Sequence, residues 1–138
     1  TSLNKVIGCI VNIASITGMR SVPLHAYAPA KAAVISMICW LATEWGRSGV
    51  RVNAVSPGYT LTPALKDAID KDERDVSAIS NNSMAGRSVE PNEVAKAIAF
   101  LASNHASGIT SANLPVGIGW LLSGSWEMYG GGQKGCRN

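Results

Sequence analysis

Long apolar runs are missing from this chain, and a membrane-spanning helix is missing with them. The longest run, Ala32 to Ala42, includes a serine and falls far short of the roughly 20 apolar residues that cross a bilayer. Charge is sparse as well: 15% of residues are charged, the net charge is +3, and the twelve basic residues are scattered. With no basic run and no aromatic residues interleaved among cations, a nucleic-acid partner is not expected. Three cysteines, Cys9, Cys39 and Cys136, are odd in number and widely spaced. That pattern suits neither a disulfide framework nor a metal site, and predicts reduced thiols in a cytoplasmic protein. No signal-peptide pattern is visible. What remains is a 138-residue chain, 46% hydrophobic, long enough for one buried core and globular in composition.

Tyr27-Ala28-Pro29-Ala30-Lys31 is the stretch that carries chemistry. A tyrosine and a lysine four apart share a helix face. There the ammonium stabilises a phenolate and lowers a pKa that is ordinarily about 10. Chance alone supplies such a spacing roughly one time in eight in a chain of this composition, so the neighbours decide its meaning. Val6 to Ala14 is a short apolar run rich in β-branched residues, and it predicts a strand buried on both faces. Ser15 follows at its carboxyl end, where open α/β sheets bind ligands. After a Gly/Pro-bearing loop from Gly18 to Pro23, a helix is expected from about Ala26 to Arg47. Pro29 is tolerable in its first turn, and Ser48-Gly49 stops it. Val50 to Val55 predicts a second strand, and Ser56 to Thr62 its exit loop.

Taken in order, these segments resemble the C-terminal half of a short-chain dehydrogenase/reductase. The matching stretches are Asn12-Ile13-Ala14-Ser15, the Tyr27/Lys31 pair, Gly49 through Gly58, and Glu90-Pro91-Asn92-Glu93-Val94-Ala95 through Phe100-Leu101-Ala102-Ser103. The resemblance implies an α/β fold, the C-terminal half of a doubly wound, parallel-sheet, Rossmann-like domain. It implies carbonyl/alcohol oxidoreduction with NAD or NADP. Tyr27 would be the general acid/base, and Lys31 would lower its pKa and bind the nicotinamide ribose. Ser15 would hold the substrate oxygen. Pro57 and Gly58, with Thr60 through its backbone and Thr62 through its hydroxyl, would position the nicotinamide carboxamide. A small-molecule substrate is implied, of sugar, polyol or oxoacyl type by analogy of the Ser56 to Thr60 loop, and so is assembly into a dimer or tetramer.

The family's N-terminal half, with its Gly-rich turn cradling the pyrophosphate, has no counterpart here. No Gly-x-x-x-Gly-x-Gly run stands near a strand start, and Gly130-Gly131-Gly132 has no strand before it. The choice between NAD and NADP belongs to that half. The chain is thus expected to be a fragment whose activity needs the rest; a non-catalytic truncated product with at most an assembly role is the rival reading. Alone, it should leave the strand ending at Ser15 as an open apolar edge prone to pairing or aggregation.

Other segments carry narrower expectations. Tyr27, Lys31, Val34, Ile38, Leu41 and Trp45 form one helix face, while Ala33, Met37 and Trp40 form a second apolar face. That second face is covered either by another subunit or by the missing half of the same one. Residues 60–85 correspond to the family's mobile substrate lid, with Leu61, Leu65 and Ile69 as wall candidates. The dense Lys66 to Asp75 run is expected to be a solvated helix face. Pro91 predicts a helix start with Val94, Ile98 and Leu101 inward, and Ile109 to Val116 a final strand. Two departures stand out: many members carry Thr-Gly and Val-Asp-Gly-Gly where this chain has Thr110-Ser111 and Val116-Gly117-Ile118-Gly119. The spacing from Ser15 to Tyr27 is also one residue shorter than is most frequent in the family. His25 is expected to be simply exposed rather than pocket-lining. Tyr59 either closes over the site or packs as an aromatic. In the 121–138 tail and just before it, Trp120, Trp126 and Tyr129 are expected to bury against the core.

Overall fold

The computed structural model describes residues 8–73 and 75–123. Strand β1 (Gly8–Ile13), helix α1 (Tyr27–Trp45) and strand β2 (Val50–Pro57) form a parallel unit, with Gly8 opposite Val50 and Ile13 opposite Val55. Helices α2 (Pro63–Asp70), α3 (Val76–Asn81) and α4 (Pro91–Ala102) follow, then strand β3 (Asn113–Val116) and the single turn α5 (Trp120–Ser123). The three strands lie in the order β1-β2-β3, all parallel. Val6 and Ile7, with which the first strand was expected to begin, lie outside the described residues, as do Trp126, Tyr129 and Cys136.

The middle strand organises the packing. Every residue from Arg51 to Ser56 is buried, and because side chains alternate across a strand, β2 feeds two cores. Val52 and Ala54 meet Ile38 and Ala42 of α1, whereas Val55 meets Leu101 of α4 and Ala106. Helices therefore cover both faces of the sheet. Yet the chain steps in one direction from β1 to β2 to β3, so crossovers through opposite faces have opposite hands. One of them runs against the usual right-handed sense. The rule reflects a strand feeding a helix that packs straight back, whereas here the path from Gly58 to Ala112 makes α2 and α3 before α4 returns to the sheet.

Helix α1 ends as its sequence indicates. A 3₁₀ turn, Gly46–Ser48, leads to Gly49 at φ 80°, a left-handed position that glycine occupies without strain. Ile38 and Ala42 are buried and Val34, Ile35, Leu41 and Trp45 pack around them, so the inward face is the expected one. On the other side Trp40 stays 74% exposed and Met37 41%. The β1 edge is similarly open: Ile10 and Ile13 are exposed, and the buried Asn12 Nδ2 has no partner among the described residues.

The final strand is shorter than the expected Ile109 to Val116. Residues 109–112 are held by β2 side chains and single backbone bonds instead of a regular ladder. Asn53 Nδ2 donates to Ile109 O at 2.9 Å, Asn53 Oδ1 accepts from Ala112 N at 3.0 Å, and Arg51 donates to Leu101 O, Ser103 O and Ile109 O. Ser111 sits at φ 61°, which a β-strand cannot accommodate. Ile118 is also left-handed, at φ 51°. Both residues stand where the resemblance leads one to expect glycine, so these departures put side chains into a conformation costing about 1–2 kcal/mol each.

At its start, α4 combines Pro91 in the first turn with a Glu93 carboxylate accepting from Glu90 N–H at 2.8 Å. Arg87 grips the same carboxylate with two bonds of 2.8 and 2.7 Å. The Arg87 guanidinium, first, and the Glu90 N–H, second, hold the Glu93 pKa down at about 2. The charged run is solvated as expected, with an exposed Asp67–Lys71 pair at 2.7 Å, but it is not one helix face: α2 ends at Asp70 and Asp75 caps α3; Arg74 lies outside the described residues.

Candidate active site

Ser15 stands one residue beyond the last ladder bond of β1, where Ala14 N–H donates to Val55 O at 2.8 Å. It caps a 3₁₀ turn, Ile16–Gly18. Its buried Oγ accepts from Thr17 N at 3.2 Å and from Thr17 Oγ1 at 2.9 Å. A serine hydroxyl has two acceptor positions and one donor. Thr17 fills both acceptors, and among the described residues the Ser15 O–H donates to nothing, which leaves a donor for a substrate oxygen. Thr17 was not anticipated; the Ser-x-Thr pattern, which favours such local turns, was its signal.

Tyr27 is the first residue of α1 and is half exposed. Lys31 Nζ lies 5.5 Å from the centre of its ring and donates to Ile13 O, the last carbonyl of β1, at 2.9 Å. One of three ammonium protons thus ties α1 to the strand end, and among the described residues the other two have no acceptor. The turn and helix touch closely because residue 18 is glycine: a Cβ there would lie 2.8 Å from both Lys31 C and Ala32 N.

The exit of β2 meets the same place. Gly58 N–H donates to Val116 O at 2.9 Å, and a Cβ on Gly58 would sit 2.7 Å from Gly117 Cα. A Cβ on Gly117 would in turn sit 3.0 Å from Ile16 Cγ2. The ends of all three strands converge only because both positions lack side chains. Thr60 spends its hydroxyl on Gly58 O at 3.0 Å and pairs with Val89 as an isolated bridge. Its N–H has no acceptor among the described residues. Thr62 Oγ1 caps α2 by accepting from Leu65 N at 3.3 Å, a role the sequence reading had not assigned, and its O–H remains.

Ser15, Tyr27, Lys31, Pro57, Gly58, Thr60 and Thr62 all line one cavity of about 530 Å³. Of the lid candidates Leu65 reaches it, and Leu61 and Ile69 do not. Pro91 and Val94, from the first turn of α4, do, though the sequence reading placed them only in a helix. Tyr59 both lines the cavity and packs edge-on against Trp120, with ring centres 5.4 Å apart. His25 is exposed and lines a neighbouring cavity instead.

Comparison with known proteins bears on this arrangement. The profile of a family described as enoyl-(acyl carrier protein) reductase matches residues 2–120. An uncharacterised short-chain type dehydrogenase/reductase from Sinorhizobium fredii is 43% identical over 113 residues, covering 81% of this chain and 21% of that protein. The chain belongs to the short-chain dehydrogenase/reductase family. A crystal structure of an oxidoreductase of that family from Burkholderia thailandensis superposes with a TM-score of 0.82 at 33% identity, covering 90% of this chain and 50% of the other. A structure of ribose-5-phosphate isomerase from Brucella melitensis 16M is more similar, with a TM-score of 0.88 at 53% identity over 91% of this chain and 49% of that one. Two further neighbours hold cofactors: 4-hydroxyisoleucine dehydrogenase complexed with NADH (TM-score 0.71, 34% identity, 81% of this chain and 45% of that one) and ElxO with NADP bound (0.77, 36%, 82% and 46%). The chain spans about half the length of these structures, and between 21% and 49% of the curated relatives it matches.

Proposed function

We propose that the protein carrying this chain interconverts carbonyls and alcohols using NAD or NADP. Tyr27 is its general acid/base, Lys31 the cation beside it and the ribose ligand, and Ser15 the donor to the substrate oxygen. Pro57, Gly58, Thr60 and Thr62 hold the nicotinamide. What supports this reading is a set of donors that find no acceptor among the described residues, on residues that line one cavity: the Ser15 O–H, two ammonium protons of Lys31 and the Thr60 N–H. A carboxamide and a ribose require such groups, so the residues present suit the cofactor.

Bound nicotinamide supplies or accepts the hydride; the chain's own residues handle the oxygen. In reduction the Ser15 O–H holds the carbonyl oxygen, and Tyr27 gives up its phenolic proton as negative charge develops there. In oxidation the phenolate takes that proton back. Throughout, Lys31 places a positive charge beside the ring and keeps the first turn of α1 against the end of β1.

The test is steady-state kinetics on the complete protein. Proton transfer by a positioned side chain contributes about 10²- to 10⁴-fold, so Tyr27→Phe should remove at least that much kcat with cofactor affinity nearly unchanged. Lys31→Ala should damage both. Retention of most of kcat by Tyr27→Phe would sink the assignment, as would pentose-phosphate isomerisation without a nicotinamide. The rival reading, a non-catalytic fragment with an assembly role, predicts neither turnover nor dinucleotide binding. In the active protein, residues 60–85 serve as the substrate lid, the exposed Met37 and Trp40 face is buried either against another subunit or against the rest of the same one, and the protein assembles as a homo-oligomer. A cytoplasmic setting suits the free thiols of Cys9 and Cys39.

A further inference from the structure

Beside the active-site cavity lies a second one of about 450 Å³, and the two share Thr17 and Leu24 as a common wall. The second is about half polar where the first is mostly apolar, and contributes Arg20, Ser21 and His25. No aspartate or glutamate lines either cavity. A cleft walled only by cations and neutral groups concentrates anions.

Arg20 is held in a defined pose. Its Nη1 donates to Trp120 O at 2.8 Å, and its guanidinium lies 4.8 Å from the centre of the Trp120 ring. Trp120 in turn meets Tyr59, which lines the active-site cavity. This stack joins segments a hundred residues apart and fixes the cation in the wall of the second cavity, one aromatic pair away from the first. It does not use the cation up. A guanidinium has five N–H donors; among the described residues only one is engaged, and Arg20 has no carboxylate partner. A guanidinium held over an aromatic ring with donors to spare is preorganised for a carboxylate or phosphate.

We propose that the substrate is an anion: a carbonyl or hydroxyl compound whose carboxylate or phosphate sits on Arg20 in the second cavity while its reacting carbon lies against Ser15 and Tyr27 in the first. Arg20 then selects substrates by charge, with Ser21 and His25 as neighbouring polar contacts. This deepens the oxidoreductase reading and rests on it for the reacting end only.

The test compares 3-oxobutanoate, 4-oxopentanoate and 5-oxohexanoate with their methyl esters on the complete protein, by nicotinamide-coupled kinetics and by ligand-observed NMR titration. The best acid should exceed its ester by roughly 10- to 100-fold in kcat/KM and in affinity, the range of one charge-assisted contact, mostly through KM. Arg20→Gln should bring the acid-to-ester ratio to about one, and Arg20→Lys, which keeps the charge and loses the fork, should restore part of it. No preference for any acid, or a preference that survives Arg20→Gln, overturns the proposal. Inorganic phosphate is the third probe: if it binds as tightly as the best acid, the cavity takes free anions and the substrate assignment is wrong. Absence of turnover with both acids and esters counts against the oxidoreductase reading, while the NMR ratio still decides the role of Arg20.

Discussion

Substituting Gly18 by alanine tests whether the contact between the Ser15 turn and helix α1 sets the geometry of the site. The new Cβ would lie 2.8 Å from Lys31 C, 2.8 Å from Ala32 N and 3.1 Å from Lys31 O. Carbon contacts settle near 3.5–4.0 Å, so turn and helix must part by roughly 0.7–1 Å. Neither side yields easily, because the atoms struck are backbone and not the ends of flexible side chains. Overpacking of this kind costs about 1–3 kcal/mol. Gly18 does not need a left-handed φ, so alanine recovers about 0.4–1 kcal/mol by narrowing the unfolded ensemble. The net expectation is a loss of about 1–2 kcal/mol. Catalysis should suffer more, since the turn carries Ser15 and the helix carries Tyr27 and Lys31. A displacement near 1 Å costs on the order of 100-fold, and kcat/KM should fall roughly 10- to 100-fold. Gly46→Ala is the control: nothing lies within 4 Å of a Cβ at that position, so it should leave activity alone and stability equal or slightly higher. Thermal unfolding and steady-state kinetics on the complete protein measure both quantities. Wild-type kcat/KM in Gly18→Ala, or identical behaviour of the two variants, would refute the argument that this contact positions the site.

Thr17→Val keeps the shape of the buried threonine but removes the 2.9 Å donor to Ser15 Oγ; kcat should drop about tenfold while stability falls by about 1 kcal/mol, and an unchanged kcat would show that Ser15 needs no such partner. Ser111→Gly, at an exposed left-handed residue, should raise stability by about 1 kcal/mol, and a lower melting temperature would contradict the strain assigned there. Because Glu93 is held at about 2, below its ordinary 4.5, the unfolded chain takes up a proton first as pH falls. The stabilisation is complete above about 4.5 and lost on the way to about 2, so Glu93→Gln should flatten this acid limb in melting curves. An identical pH profile in the variant would mean that the Arg87–Glu93 pair does not contribute.

Much of the site is legible in the sequence because its clues are local and periodic. The apolar run before Ser15 and the glycine after Ser48 mark strand and helix ends without reference to anything distant. The spacing of Tyr27 and Lys31 puts both on one helix face, and Val50 to Val55 reads as a strand although Arg51 and Asn53 are polar. The seven residues inferred for the site do line one cavity. What the chain could not announce is which backbones approach each other. The contact of Gly18 with α1, and of Gly58 with Gly117, depends on pairs of segments whose separation is set by the packed sheet. The same holds for the shortened β3: Arg51 and Asn53 look like misplaced polar residues until the carbonyls around Leu101 and Ile109 are brought over them. Secondary structure follows from repeats of 2 and 3.6 residues, which the sequence carries in every window. The donors left free at the site, and the Arg20–Trp120–Tyr59 stack beside it, come from side chains meeting across up to a hundred residues, and only the tertiary packing decides which of them meet.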